Sequence, residues 1–472
     1  MSISDSRPHI VLVVARGEAV RNFIFSDTLR ALAQGARVTL LSLVDRGDVI
    51  AQAQPHVERI LPLKSYLSPS FVPFFHDVIN TAHYCWMWTE AAKYYWGKHN
   101  KRVRGKPRER VKLFFVRLFS IPFANRPMLR LGTRMDRWLQ YRFRRTPDLD
   151  ATFRALDPDL VFNCSHIHGP QADIPLRVAH GLGFKTAAFL FSWDNLTSRG
   201  RIMVPYDFFL VWNEDIKRKF LDIYPEVAPE RVTVTGTPQF DFHFDPRFHL
   251  TREDLSHRVG LNPSRRFILY TTGMDPDFAE EYRTVRAVID FLQSMDAATR
   301  PQLLVRTYIK GNSKEMVALA EEMRGHPDVV FPPILWDKQW VMPLEEDLYV
   351  YTNLLRHCAL GINGASTVTL ELMMMDKPVI NLAFEPPGSQ LPHYMRFSRH
   401  IHYEHYRPVA ASGGAMVARS LEDLYAMILR GLSQPEADRP AQERFLKLFF
   451  GDTLDGKSGQ RVANHLLKLA QG

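Results

Sequence analysis

The segment Gly361–Glu371 (GINGASTVTLE) combines small side chains, hydroxyls and a carboxylate in an order that suits phosphate and sugar binding. An apolar strand ends in this loop, and a helix is predicted to begin at Ser366 or Thr367. The first N–H groups of a helix lack internal partners and lie at the positive end of its dipole, so they attract anions. Gly364 lets an anion approach the backbone, and Glu371 is one turn into the helix, within reach of a sugar hydroxyl. The same pattern is also typical of an ordinary strand–helix turn.

Polar side chains also follow three predicted strands in the first half of the chain, where open α/β sheets bind ligands. A carboxylate or imidazole there could accept a proton from a sugar acceptor. Each has a structural alternative: a glutamate complementing a helix dipole, loop histidines bonded to backbone, or an aspartate capping a turn. Two histidines with no evident third ligand do not make a metal site, so we expect no metal. The candidate catalytic residues are Glu18, His166, His168 and Asp194.

Apolar runs of strand length alternate with helix-like stretches, which predicts parallel sheets with crossover helices. The alternation stops near residue 237 and restarts with Arg266–Thr272 (RFILYTT). We therefore expect an α/β protein of two doubly wound domains facing one another across a cleft. The predicted parts are an N-terminal domain (1–240) with a helical insert (66–145), a second domain (241–455), and a C-terminal helix (456–472).

Three segments in the second half resemble motifs of GT-B glycosyltransferases and of the related sugar-nucleotide 2-epimerases and polyol-phosphate transferases. The strand, small-residue loop, helix and Lys-Pro turn of 361–380 resemble the nucleotide-sugar site of these families. Val234–Asp241 (VTGTPQFD) resembles the segment that closes their first domain. Asp455–Arg461 (DGKSGQR) resembles the start of their final helix. The resemblance covers mainly residues 230–470 and implies the GT-B fold. It also implies that 1–240 is the acceptor-side domain, that 241–455 is the nucleotide-donor domain, and that the helix of 456–472 crosses back to the first domain.

The resemblance also implies how a nucleotide-sugar donor would bind. The amides of Ser366 and Thr367 would contact the diphosphate, and Glu371 would bind the ribose. Arg306 and Lys310 follow a strand where polyol-phosphate transferases carry basic residues, and they would neutralise the leaving diphosphate. The families have a histidine-proline pair nearby, whereas this chain has Tyr308-Ile309, so an ion-pair role for Arg306 is the alternative. Gly273 would allow close approach at the first turn of the second domain, or simply form a turn.

The positive charge is concentrated in one part of the chain. The formal net charge is +9, yet residues 91–145 hold 17 Lys/Arg against two acidic residues, and the remainder is net negative. Arginine interleaved with aromatic residues suits nucleic acid, an anionic membrane or an acidic polymer. No nucleic-acid motif accompanies this segment. Lys112–Phe123 (KLFFVRLFSIPF) combines charged and bulky apolar side chains, as helices at a membrane interface do. We expect contact with an anionic membrane surface; a solvated helical subdomain with an aromatic core is the alternative.

The chain is predicted to be a metal-independent glycosyltransferase that uses a nucleotide-activated sugar and modifies a lipid-linked or cell-surface glycan. A 2-epimerase, a polyol-phosphate transferase and a non-catalytic glycan-binding scaffold are the alternatives. Three cysteines far apart exclude a disulfide framework. The N-terminus lacks a signal peptide's apolar stretch. We therefore expect a cytoplasmic protein, peripheral on the inner face of the cell membrane, with no cofactor beyond the donor.

Overall fold

The computed structural model describes residues 6–472 apart from 67, 144–145, 167–169, 274–277, 279 and 310–312. The chain divides into two compact units. Unit 1 comprises Met1–Asp241 together with Asp452–Gly472, and unit 2 comprises Phe242–Gly451. Each unit contains a parallel sheet with helices packed on it, as two Rossmann-like domains have. The predicted fold class is confirmed.

Unit 1 is built on a sheet of seven parallel strands. The strands are His9–Val14 (β1), Arg37–Ser42 (β2), Arg59–Pro62 (β3), Leu160–His166 (β4), Thr186–Leu190 (β5), Phe208–Val211 (β6) and Val232–Val234 (β7). Their order is β3-β2-β1-β4-β5-β6-β7. Ile10 of β1 pairs with Val38 on one side and with Leu160 on the other. Every residue of β1 and β4 is buried, which is why β1 is almost entirely apolar and β4 begins with the apolar run Leu160–Phe162.

The helices of unit 1 before the boundary at Asp241 include the crossover helices and the four long helices of the insert. They are Gly17–Val20 (α1), Asp27–Gly35 (α2), Gly47–Ala53 (α3), Phe71–Met87 (α4), Glu90–Arg102 (α5), Pro107–Ser120 (α6), Arg126–Phe143 (α7), Pro147–Leu156 (α8), Asp173–Gly181 (α9), Asn195–Ser198 (α10) and Glu214–Ile223 (α11). The helix predicted over 18–34 is interrupted at Ser26, whose hydroxyl caps α2 by accepting the Thr28 N–H at 3.2 Å.

The insert supplies helical cover for the sheet. Between β5 and β6, a segment described throughout, the single helix is the four-residue α10, so no long crossover helix packs there. Met203 in this segment instead joins a buried cluster with residues from α4, α6 and α7. Gly132 of α7 lies so close to α4 that a Cβ would stand 2.4 Å from Ile79 Cδ1. The insert therefore packs as part of unit 1.

A buried ion network attaches α7 to α9. Asp136 is fully buried, and its carboxylate accepts hydrogen bonds from Arg177 Nη2 at 3.0 Å and His76 Nδ1 at 3.1 Å. Gln140 contacts the same carboxylate at 3.4 Å. Burial alone would raise the pKa of Asp136, but the hydrogen bond from His76 and the charge of Arg177 hold that pKa below its ordinary value. One acidic residue of the basic segment is thus used inside the fold.

Unit 2 is built on a six-stranded parallel sheet and a two-stranded hairpin. The strands are Phe267–Thr271 (β8), Gln302–Arg306 (β9), Val329–Val330 (β10), Trp336–Asp337 (β11), Met342–Pro343 (β12), Leu360–Asn363 (β13), Val379–Leu382 (β14) and Met416–Ala418 (β15). The large sheet has the order β10-β9-β8-β13-β14-β15, and β11 pairs with β12.

The helices of unit 2 pack around a core that includes Tyr270, Val288 and Ile362. They are Arg252–Val259 (α12), Glu281–Gln293 (α13), Lys314–Glu322 (α14), Glu345–His357 (α15), Val368–Met374 (α16), Arg407–Ala410 (α17), Leu421–Ser433 (α18) and Arg439–Phe450 (α19).

The last helix, Ser458–Gln471 (α20), belongs to unit 1. Asp241 accepts the N–H groups of Ser458 at 3.1 Å and Gly459 at 2.7 Å, and so caps this helix. Arg461 Nε donates to the carbonyl of Thr235 at 2.9 Å. The two segments singled out in the sequence, 234–241 and 455–461, therefore bind each other, and we name this pair the clasp.

Replacing Asp241 by alanine should loosen α20. The two N–H groups would lose a buried cap that contributes about 1–2 kcal/mol. We expect hydrogen–deuterium exchange of the α20 amides to accelerate by about 5- to 30-fold, measured by mass spectrometry. Asp222→Ala, at an exposed position of unit 1, is the matched control and should leave exchange unchanged. Equal exchange in Asp241→Ala and the native protein would contradict the capping role.

Candidate functional site

Glu371 is the best-positioned carboxylate of the predicted donor site. It lies on α16, directly after the loop that follows β13, and its side chain is 9% exposed. Oε1 accepts from His243 Nε2 at 3.0 Å, and Oε2 accepts from the Tyr351 hydroxyl at 2.6 Å. Because a carboxylate only accepts, these contacts place a proton on His243 Nε2. Each oxygen keeps acceptor capacity for a further donor such as a sugar hydroxyl.

A second charged group lies beside the first. Arg306, at the end of β9, stands 4.4 Å from the ring centre of Tyr351. Its Nη2 donates to both oxygens of Asp347, at 2.9 and 2.8 Å, and Trp336 Nε1 also donates to Asp347 at 2.8 Å. Arg306 therefore forms an ion pair with Asp347, which is the alternative role given above. This ion pair is largely buried. Tyr351 links this pair to Glu371 within one network.

The loop after β13 is organised by Asn363. Its Oδ1 accepts from the Ser366 N–H at 3.0 Å and from the Thr369 hydroxyl at 3.0 Å. Ala365 adopts a left-handed backbone with φ of 56°, which is costly for a residue with a Cβ and is concentrated at functional sites. The Ser366 N–H that the resemblance assigns to a diphosphate is thus donated to a side chain in this structure. Diphosphate binding through that amide requires Asn363 to release it.

Gly273 and Gly364 both pack against the aromatic ring of Phe278. A Cβ at Gly273 would stand 2.1 Å from the Phe278 ring, and one at Gly364 would stand 2.2 Å from it. Phe278 also contacts Phe397 and His400, with ring centres 4.9 and 4.4 Å apart. Both glycines are therefore explained by the packing of Phe278 across the ends of β8 and β13. Their role toward a ligand stays a prediction.

Glu281, the first residue of α13, is a buried carboxyl beside the loop after β8 that sequence reasoning missed. It is 3% exposed, accepts the Gly273 N–H at 2.8 Å and contacts the Tyr270 hydroxyl at 3.1 Å. Burial raises the pKa of Glu281 to about 8, against the opposing effect of the Gly273 amide. This carboxyl therefore holds its proton at neutral pH. Near a developing negative charge it is a proton donor rather than a base.

Glu18 is paired within its own turn. The Arg16 guanidinium donates to both carboxylate oxygens, from Nε and Nη2, each at 2.9 Å. Glu18 lies in the first turn of α1, the position expected of a glutamate that complements the helix dipole. A base at this position would work in contact with a cation.

His166 is buried at the end of β4. Its Nδ1 lies 2.8 Å from the Tyr206 hydroxyl, which also accepts from Asn163 Nδ2 at 2.7 Å. Burial holds the pKa of Tyr206 well above its ordinary value, so the hydroxyl keeps its proton beside His166 Nδ1. His166 is thus oriented by a second group, as catalytic histidines are.

Asp194 begins a short helix. Its carbonyl accepts the N–H groups of Thr197 and Ser198 at 3.0 and 2.9 Å, and its carboxylate accepts from the Ser198 hydroxyl. The following Gly200 lies against the insert, where a Cβ would stand 2.3 Å from Asn80 Oδ1. The segment 191–201 therefore caps its own turn and attaches the insert to β5. A catalytic role for Asp194 stays a prediction.

His168 and Lys310 lie outside the described residues. Of the candidates predicted in unit 2, the structure brings Arg306 and Glu371 into one network. His243 and Tyr351, which complete it, were not found from the sequence. His243 follows the 234–241 motif by two residues, and no other signal marked it. Across the described residues, no group of three or more His, Cys, Asp or Glu side chains is placed to hold a metal ion.

No family model and no curated protein matches the chain. Solved structures do. The chain is similar to the protein from Listeria monocytogenes provisionally assigned as a UDP-N-acetylglucosamine 2-epimerase, with TM-score 0.57, 12% identity, 98% of this chain and 96% of that one covered. It is also similar to the UDP-GlcNAc 2-epimerase from Neisseria meningitidis bound to UDP-GlcNAc, with TM-score 0.52, 9% identity, and 98% of this chain and 100% of that one covered. A third similar structure is a glycosyltransferase from Rickettsia africae ESF-5, with TM-score 0.50, 12% identity, and 98% of this chain and 99% of that one covered.

These structural similarities extend over nearly the whole of each chain. Because the sequence identity is low, they show the fold alone. The chain has the GT-B fold, as its motifs implied.

Proposed function

We propose that the protein is an enzyme that acts on a nucleotide-activated sugar bound by unit 2. The observation that carries this proposal is the carboxylate of Glu371, held by His243 and Tyr351 at the strand-end position where the GT-B resemblance expects a ribose ligand. Its unused acceptor capacity suits two adjacent hydroxyls. Arg306, paired with Asp347, and the loop after β13, held by Asn363, would lie beside the diphosphate of such a donor.

The first reaction we propose is epimerisation of a UDP-sugar at C2. Two of the similar structures bear that description, one of them bound to UDP-GlcNAc. Glu281, whose pKa burial raises to about 8, accepts the Gly273 N–H at the same end of the sheet and is our candidate proton donor.

Transfer of the sugar to a lipid-linked or cell-surface glycan is the second candidate. The observation that favours it is the exposed aromatic and basic surface of the insert, which suits an enzyme that meets its acceptor at a membrane.

Nucleotide binding is tested with Glu371→Gln. At about 100 times its Kd, UDP should stabilise the native protein by about 2.7 kcal/mol, seen as a rise in Tm. Glu371→Gln loses hydrogen bonds to a charged acceptor, so we expect about 10- to 100-fold weaker UDP binding by calorimetry. Glu322→Gln, on an exposed helix of the same unit, is the matched control. No stabilisation by UDP, CDP, CMP, GDP or their sugars would refute the donor site, and so would unchanged binding by Glu371→Gln.

The reaction itself is tested by incubating the enzyme with UDP-GlcNAc alone in deuterated water. Inversion at C2 with deuterium incorporation, followed by NMR, supports epimerisation. An unchanged sugar nucleotide that releases UDP only when a lipid-linked glycan is added supports transfer. A sugar nucleotide unchanged under both conditions contradicts both reactions.

A further inference from the structure

One face of α6 is apolar and exposed. Val111, Phe114, Phe115 and Leu118 follow the spacing of a helix stripe that normally packs on a core. Ile121 extends the stripe beyond the helix end. These five side chains are from 42% to 67% exposed, whereas Val116 on the opposite side of α6 is buried. The face of α6 that is best suited to a core therefore lies on the surface.

Ring contacts extend this surface over three helices. Phe115 stacks on Phe119 of α6 at 6.2 Å, and Phe119 meets Phe74 of α4 at 6.2 Å. One turn away on α4, Phe71 meets Phe143 of α7 at 4.9 Å, and Phe143 meets Trp138 at 6.0 Å. We name this row the aromatic belt: Phe71, Phe74, Phe115, Phe119, Trp138 and Phe143. Phe74 and Phe143 are partly buried, and the other four rings are exposed.

The surroundings of the belt are cationic. Four exposed arginines lie at the end of α5, in the following turn and in the first turn of α6, and within the described part of the chain no ion pair engages them: Arg102, Arg104, Arg108 and Arg110. Of the two acidic residues in 91–145, Asp136 is buried in its own network and Glu109 pairs with Lys106. The surface thus combines large apolar side chains with uncompensated positive charge.

We propose that the aromatic belt and these four arginines bind an anionic phospholipid bilayer. Charge complementarity selects this occupant, because lipid phosphates meet the arginines while the rings enter the boundary of the acyl chains. Aromatic rings favour that depth, and arginine stems extend past apolar surface to reach phosphates. In the described part of the chain, no helix has the length and apolarity needed to cross a bilayer. The belt lies in the plane of the interface.

Vesicle co-sedimentation of the full chain tests the proposal. We expect binding to vesicles of phosphatidylcholine with about a third phosphatidylglycerol, weak binding to phosphatidylcholine alone, and release at high salt. Each arginine near such a surface strengthens binding about fivefold, so Arg108→Glu with Arg110→Glu should weaken it at least about 25-fold. Phe115→Ser with Phe119→Ser should weaken binding to both kinds of vesicle.

Matched controls come from exposed residues of unit 2. Leu448 is 85% exposed and Arg324 has a side chain 75% exposed, so Leu448→Ser and Arg324→Glu should bind as the native protein does. Circular dichroism and UDP binding report whether the belt variants are folded. Native binding no stronger to anionic than to neutral vesicles would overturn the proposal. So would belt variants that bind normally, or a self-associated species that the belt substitutions dissociate, which would make the belt a protein interface.

Discussion

Asp136→Ala should lower the free energy of unfolding by about 3–5 kcal/mol, the largest effect that we expect from a single substitution. Removing the carboxylate leaves the Arg177 guanidinium buried without its counter-charge, since that side chain is 7% exposed and donates to Asp136 at 3.0 Å. His76 loses its partner as well. Because the folded-state pKa of Asp136 is lowered, its stabilisation is present above the ordinary pKa of 3.8 and is lost as pH falls through the folded value.

Urea unfolding and hydrogen exchange of α7 measure this loss. Asp77→Ala removes an exposed ion pair of the same insert, with Lys112 at 2.8 Å, and should cost at most about 1 kcal/mol. Asp136→Leu combined with Arg177→Met removes both charges and should recover most of the stability. A loss below about 1 kcal/mol in Asp136→Ala would show that the network is not structural.

Glu281 should make unit 2 less stable as pH rises. Its carboxyl has an ordinary pKa of 4.5, and burial raises the pKa to about 8 in the folded state. Between these pH values the folded protein binds more protons than the unfolded chain, so the free energy of unfolding falls with increasing pH. The slope is at most about 1.4 kcal/mol per pH unit.

Glu281→Gln keeps the shape and cannot ionise. We expect its Tm to vary less than the native Tm from pH 5 to 9, and to exceed the native Tm at about pH 8–9. Glu322→Gln, at an exposed position, should retain the native pH profile. Parallel pH profiles for Glu281→Gln and the native protein would contradict the raised pKa.

Local patterns predicted the elements and not the contacts between them. Strands such as His9–Val14 and Leu360–Asn363 are buried on both faces, so a short apolar run identifies each one. The clasp residues were recognisable because both segments resemble known motifs. The site's contacts join residues far apart in sequence: His243 and Glu371 are separated by 128 positions, and Arg306 and Asp347 by 41. No periodicity records such a pairing.

Two interpretations depended on which way a side chain faces. Gly273 and Gly364 were interpreted as room for a ligand, and the structure places the Phe278 ring against both. The stripe on α6 has core spacing, and only the packing of α4 and α7 reveals that it is exposed. Composition predicted a basic helical insert, but it could not distinguish an aromatic core from an aromatic surface.

Unit 1 includes the clasp and the C-terminal segment 452–472, and this affects the order in which the chain can fold during synthesis. Unit 2 is one uninterrupted segment, 242–451, so its core can form during synthesis, whereas unit 1 draws on residues from both sides of it. Until 452–472 leave the ribosome, Gly35 of α2 lacks the Leu467 side chain that packs on it. At about 5–20 residues per second, synthesis of unit 2 leaves that surface uncovered for some tens of seconds. Unit 1, although it begins the chain, therefore cannot complete its fold until unit 2 has been synthesised.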